Sequence, residues 1–222
     1  MINLWSPPVR SALRAVAIGA GLVLGVGEVS AGYLVTPELR RECEVLRQRM
    51  VKEAKSAEAH FELAICLSLM GSIEESRDAL ETSKKVDPEF RRRALPVYLE
   101  RFRQQPDDPR TAYRLACVYY FNDKPEEALH YFSVVAEHQP VGQINAWAFG
   151  YMGVLKGEQK KWEEAEQLAR KGIGLERDAY ALHLVLALAL KGQGRYLAAL
   201  DEYFIATRLK DEATPSKTML LK

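Results

Sequence analysis

Four histidines, His60, His130, His138 and His183, are the first place to look for metal or acid–base chemistry. They fall on different stretches or eight residues apart, and none has a second ligand three or four residues on, as a helical metal site requires. Cys43, Cys66 and Cys117 are an odd number and stand at apolar phases of their segments, so they read as small buried hydrophobes and not as a disulfide framework. Carboxylates pair as Glu74 with Glu75, Glu126 with Glu127 and Glu163 with Glu164. Each pair occupies the same place in a recurring segment, which is a repeated surface feature and not an acid–base dyad. Gly19, Gly21, Gly25 and Gly27 lie within an apolar stretch, away from any strand-to-helix turn, so they form no phosphate loop. The basic run Arg91, Arg92, Arg93, with Arg101 and Arg103, reads as a solvated helix face or as a contact for anionic lipid or an acidic partner. The expectation is a protein without catalytic residues, metal ligands or cofactor.

The elements that carry these residues are helical. The chain has 222 residues, 48% hydrophobic and 27% charged, with 31 basic against 30 acidic side chains. That is length for one domain, and a net charge of +1 gives no case for nucleic acid. Amphipathic stretches such as "TAYRLACVYYF" and "AYALHLVLALALKGQ", broken at Pro, Gly and Asp, predict helices of roughly 12 to 15 residues. No alternating run argues for a sheet. Four segments, "SIEESRDAL", "KPEEALHYF", "KWEEAEQLA" and "YLAALDEYF", place a small residue at Ser76, Ala128, Ala165 and Ala199. The last two stand 34 residues apart, and Ala128 and Ala165 stand 37 apart. Ala94 in "RRRALPVYLERF" fits as a fifth marker, 34 residues before Ala128, whose first helix is missing. A 34-residue period is that of a helix-turn-helix repeat.

The chain resembles the tetratricopeptide repeat family. From Pro109, Leu115, Ala116, Tyr119, Ala128, Phe132 and Pro140 stand where the family places its small, aromatic and proline residues. From Ala57 the matches are Leu63, Ala64, Leu67, Gly71, Leu80 and Pro88, with Ser76 where Ala is usual. From Ala146, Gly153 and Ala165 match but the closing Pro is absent, and from Tyr180 the matches are Leu186, Ala187, Gly194, Ala199, Tyr203 and Ala206. The resemblance implies an all-α, right-handed α-solenoid over residues 57–212, with repeats near 57–90, 109–142, 146–179 and 180–212 and an orphan half-repeat at 91–108. Each helix pair of such a repeat buries a stripe too narrow to form a core alone, so neighbours must cover it.

In that family the first helix of each repeat lines a concave groove. The corresponding positions here include Phe61, Ile65, Arg110, Tyr113, Cys117, Tyr120, Trp147, Val154, Leu184 and Leu188, with Arg114 alongside. The lining is apolar and aromatic, and Phe61, Ile65, Tyr113 and Cys117 replace the Lys and Asn with which chaperone-binding members clamp a terminal carboxylate. The resemblance therefore implies a non-catalytic scaffold that binds an amphipathic helix or apolar segment of another protein. The same side chains could instead cover the chain's own helix at 36–54 or the lone helix around Tyr98.

Outside the repeats, residues 1–35 carry Arg10 and Arg14, then an apolar run from Ala15 to Gly27, then Glu28. Three readings fit: an uncleaved anchor through residues 11–35, a cleaved signal ending near Ala31, or a packed helix. The anchor reading predicts a single-pass membrane protein, by its style of the bacterial inner membrane. The signal reading predicts an exported envelope binding protein, and a third function class is an assembly factor for a membrane complex. Residues 36–56, with Leu39, Cys43, Leu46 and Met50 on one stripe, predict a helix that caps the first repeat or pairs two copies as a short coiled coil. Gly21 and Gly25 could bring two anchors together, so a homo-oligomer is open. Residues 213–222 predict a flexible tail.

Overall fold

The computed structural model describes residues 37–138 and 143–213. Among the described residues there are ten helices and no strand, and consecutive helices pack as hairpins in a helical solenoid. They are α1 (Pro37–Lys52), α2 (Ala57–Leu69), α3 (Ile73–Val86), α4 (Phe90–Gln104), α5 (Pro109–Phe121), α6 (Pro125–Glu137), α7 (Gln143–Glu158), α8 (Trp162–Leu175), α9 (Tyr180–Gly192) and α10 (Tyr196–Ala213). Four hairpins, α2/α3, α5/α6, α7/α8 and α9/α10, follow one another, and α1 and α4 are single helices.

Local chemistry sets the helix ends. Ser56 Oγ accepts from the Ala59 amide at 3.2 Å, and Asp108 Oδ1 accepts from the Arg110 amide at 2.9 Å ahead of Pro109. These bonds satisfy amides that a helix start leaves open. The repeated carboxylate pairs now have a physical reason. Glu74 with Glu75, Glu126 with Glu127 and Glu163 with Glu164 all sit in the first turn of the second helix of a hairpin, at its positive dipole end.

The small markers Ser76, Ala128, Ala165 and Ala199 are all buried at the helix crossings. Ser76 Oγ donates to the Ala64 carbonyl at 2.6 Å, so where Ala is usual the serine hydroxyl is satisfied by the facing helix. Ala128 is fully enclosed. Ala128→Leu should therefore cost about 1–3 kcal/mol through overpacking, whereas Glu127→Lys on the same turn should change stability by less than about 0.5 kcal/mol. Urea unfolding of the two variants side by side checks the asymmetry.

The solenoid closes tightly. Gly71, in the turn after α2, has φ +75°, and a Cβ placed there would stand 2.3 Å from Trp147 Cζ2. Only glycine permits both that backbone and the approach of the α7 indole. Gly192 is similar, because its Cβ would meet Trp162 Cδ2 at 2.2 Å. At the far end, Lys210 Nζ donates to Glu74 Oε1 at 2.6 Å, joining α10 to α3 across 136 residues.

Two expectations are corrected. Cys43 and Cys66 are bonded as a disulfide between α1 and α2, while Cys117 alone is a free, buried thiol. All three side chains are buried, but burial at apolar phases did not exclude a pairing 23 residues apart. The single-pass membrane location is also overturned: among the described residues no helix is long and apolar enough to cross a membrane. Residues 1–35, on which that expectation and the pairing of anchors rested, lie outside the described residues, as does the tail at 214–222.

Candidate functional site

The candidate groove residues divide into two groups. The first is enclosed. Phe61 is fully buried and meets Phe90, Tyr98 and Phe121 edge-on at 5.5, 6.2 and 5.7 Å, so α4 and α5 cover it. Tyr113 is fully buried between Phe132 at 5.4 Å and Tyr151 at 6.0 Å, and its hydroxyl donates to the Ser68 carbonyl at 3.3 Å. Burial pushes this phenol well above its ordinary pKa. Trp147 packs on Gly71 and is 2% exposed. Cys117 touches Ser68 Oγ at 3.5 Å, and burial pushes its thiol up to about 12, which leaves it protonated and without nucleophilic character.

Ile65 is buried and lines a small cleft together with Glu42 and Leu46 of α1. The stripe anticipated on that helix is real: Leu39 and Cys43 are buried, and Leu46 and Met50 pack on the same core. Polar contacts fix its rim. Arg114 Nη2 donates to both Glu42 oxygens at 2.6 Å, Arg47 to Glu75 at 2.7 Å, and Arg49 to Glu62 at 2.9 Å and Glu58 at 3.1 Å. Glu42, Glu62, Arg101 and Arg114 face one another around a cleft of about 100 Å³ that Leu46, Ile65 and Tyr98 complete. The opposite charges there neutralise each other.

The second group stays accessible. Val154 on α7 and Leu184 and Leu188 on α9 are half-buried, Tyr120 is half-buried, and Arg110 is exposed. Leu184 and Leu188 lie one helical turn apart on the same face. Tyr120 meets Tyr151 edge-on at 5.6 Å and hydrogen-bonds Glu158 at the end of α7.

Glu158 was not singled out from the sequence. Burial, reinforced by the Asp123 carboxylate, pushes it up to about 7, with the Tyr120 bond acting in the opposite direction. A carboxyl raised above its ordinary 4.5 on folding favours the folded state fully below that value. The advantage is lost as pH rises towards about 7. Glu158→Gln should therefore match the wild type at pH 4.5 and exceed it at pH 8 by about 1 kcal/mol once solvent screening is discounted. Urea titrations at the two pH values check this.

Several of the other residues flagged by type make ordinary packing contacts. His183 Nδ1 lies 2.7 Å from Glu202 and its Nε2 2.9 Å from the Arg177 carbonyl, and His60 Nε2 lies 3.0 Å from the Ala54 carbonyl. In the basic run, Arg91 donates to the Phe121 carbonyl at 2.8 Å, Arg92 pairs with Glu89 and Arg93 with Asp87, while Arg101 lies over the Tyr98 ring at 4.8 Å. Tyr151, stacked on Phe132 at 4.9 Å, also escaped notice, though its place one turn before Val154 on an apolar helix was a signal for it.

No family model matches the chain, and no curated protein matches it. Among solved structures it is similar to MamA, at 12% identity and a TM-score of 0.44, over 79% of this chain and 90% of that one. MamA from Desulfovibrio magneticus gives 14% identity and 0.44, over 81% and 89%. PilF from Pseudomonas aeruginosa gives 16% identity and 0.44, over 77% and 68%. Likenesses at this level carry nothing about what this chain binds, and its affinities rest on its own surfaces.

Proposed function

We propose that this protein is a non-catalytic interaction scaffold. Its free binding surface is the C-terminal part of the concave side, where Val154, Leu184 and Leu188 present apolar surface flanked by Tyr120 and Arg110. One observation supports the reading: an amphipathic helix, α1, already docks on α2, bonded to Cys66 and lining a small cleft with Ile65, with its charged rim paired to Arg114 and Glu62. A partner helix that is likewise apolar on one face, and acidic where it meets Arg110, suits the part that α1 leaves open.

A photo-crosslinking residue placed at Leu184 or Leu188 in the native host should yield one discrete adduct, and the same residue at exposed Val86 on α3 should yield none. Adducts at Val86 with none at Leu184 or Leu188 would move the binding surface to the convex side.

A second reading concerns where the scaffold works. The Cys43–Cys66 disulfide favours an oxidising compartment, and hence an exported binding protein or assembly factor. Thiol trapping of the native protein at the moment of lysis, showing Cys43 and Cys66 reduced, would remove that support.

A further inference from the structure

The last helix carries an apolar stripe that the repeat pattern does not account for. Tyr196, Leu197, Leu200 and Phe204 are 68%, 82%, 48% and 61% exposed, and they fall within about 100° of arc on α10. Thirty-four residues earlier, the corresponding positions on α8 are Trp162, Glu163, Glu166 and Arg170. Glu166 there takes hydrogen bonds from Gln193 at 2.8 Å and Arg195 at 2.8 Å, and Trp162 packs on Gly192, so this face of α8 is covered by the next hairpin through mixed polar and apolar contacts. On α10 three of the charged positions have become Leu, Leu and Phe. The helix packs on α9, and its outer face remains open among the described residues. A solenoid end that stays solvated presents a polar outer face, and this one presents the reverse.

We infer that the α10 stripe is a self-association surface, on which a second copy of this chain docks its own α10 about a two-fold axis. Three features select a second copy. The stripe is a single continuous patch, which a two-fold operator can place on itself. Asp201 and Arg208, opposite in sign, border it on the Leu197 side, so self-approach meets no net like charge there. The area suffices: side chains of this size at these exposures leave about 500 Å² per copy, or about 1,000 Å² across the pair, the lower bound for a specific interface.

Sedimentation velocity of the full chain between about 1 and 100 µM tests the assignment, with the Leu197→Glu, Phe204→Glu double variant beside the wild type. Both side chains are largely exposed, so the variant keeps its fold, which its helicity and melting curve verify. The expected result is a monomer–dimer equilibrium in the wild type and a dissociation constant raised at least about 100-fold in the variant. As an independent readout, Leu200→Cys should cross-link copies on mild oxidation, whereas Val86→Cys should not. A wild type that is monomeric throughout would overturn the inference, leaving the stripe to residues 214–222 of the same chain or to a different protein. Association that the double variant does not weaken would overturn it as well, and would place self-contact elsewhere, for instance in residues 1–36.

Discussion

Tyr113→Ala is expected to destabilise the protein by about 3–5 kcal/mol, the range for removing a fully buried large aromatic side chain. The ring contributes contacts to Phe132 on α6 and Tyr151 on α7, and its hydroxyl ties α5 to the end of α2 through the Ser68 carbonyl. One truncation therefore loosens three hairpins at once. For a body of this size the melting temperature should fall by roughly 10 °C. Because a solenoid's stability is a sum of units and interfaces, the loss should concentrate in amides of α5 to α7, which hydrogen exchange reads. A binding anchor standing free in a groove would leave the melting temperature within a degree or two. That outcome would return Tyr113 to the partner surface.

Removing the disulfide with the paired Cys43→Ser, Cys66→Ser substitutions should cost about 3 kcal/mol, the chain-entropy value for a closed loop of about 23 residues. Its location decides how the loss shows. Without the bond, α1 is held by the burial of Leu39 and the packing of Leu46 and Met50, and by the contacts of Arg47, Arg49 and Arg114 with carboxylates that are partly in solvent, each of these pairs worth a few tenths to about 1 kcal/mol. Exchange protection in residues 37–52 should then fall well before that of α5 to α9. Equal loss in all helices would mean that α1 is integral to the core and not a docked cover.

The period of the solenoid was legible because it rests on single residue types at fixed intervals. Ser76, Ala128, Ala165 and Ala199 are small for a steric reason, and each stands buried at a helix crossing. The fate of the aromatic groove residues was less legible. Position within a repeat says which helix face Phe61 or Ile65 occupies, but not what lies on that face. Here two single helices lie nearby, α4 against Phe61 and α1 across a small cleft from Ile65, and neither follows from the repeat. The approach of Trp147 to Gly71 likewise depends on how tightly successive hairpins curl, which no periodicity records. The disulfide was hidden because both its cysteines also satisfy the apolar pattern. The stripe on α10 was in plain view as Leu197, Leu200 and Phe204, and comparing it with Glu163, Glu166 and Arg170 one repeat earlier would have exposed it.

On the proposed reading the enclosed half of the concave side is core and the open half, Val154 with Leu184 and Leu188, binds a partner. The most direct test is quantitative capture from a native extract, with wild type and a Leu184→Ser, Leu188→Ser variant run in parallel and the melting temperature of each bait measured on the same preparation. The expected result is a discrete partner held by the wild type and lost by the variant, with melting temperatures that agree within a few degrees. A partner retained at wild-type level by a stably folded variant would contradict it.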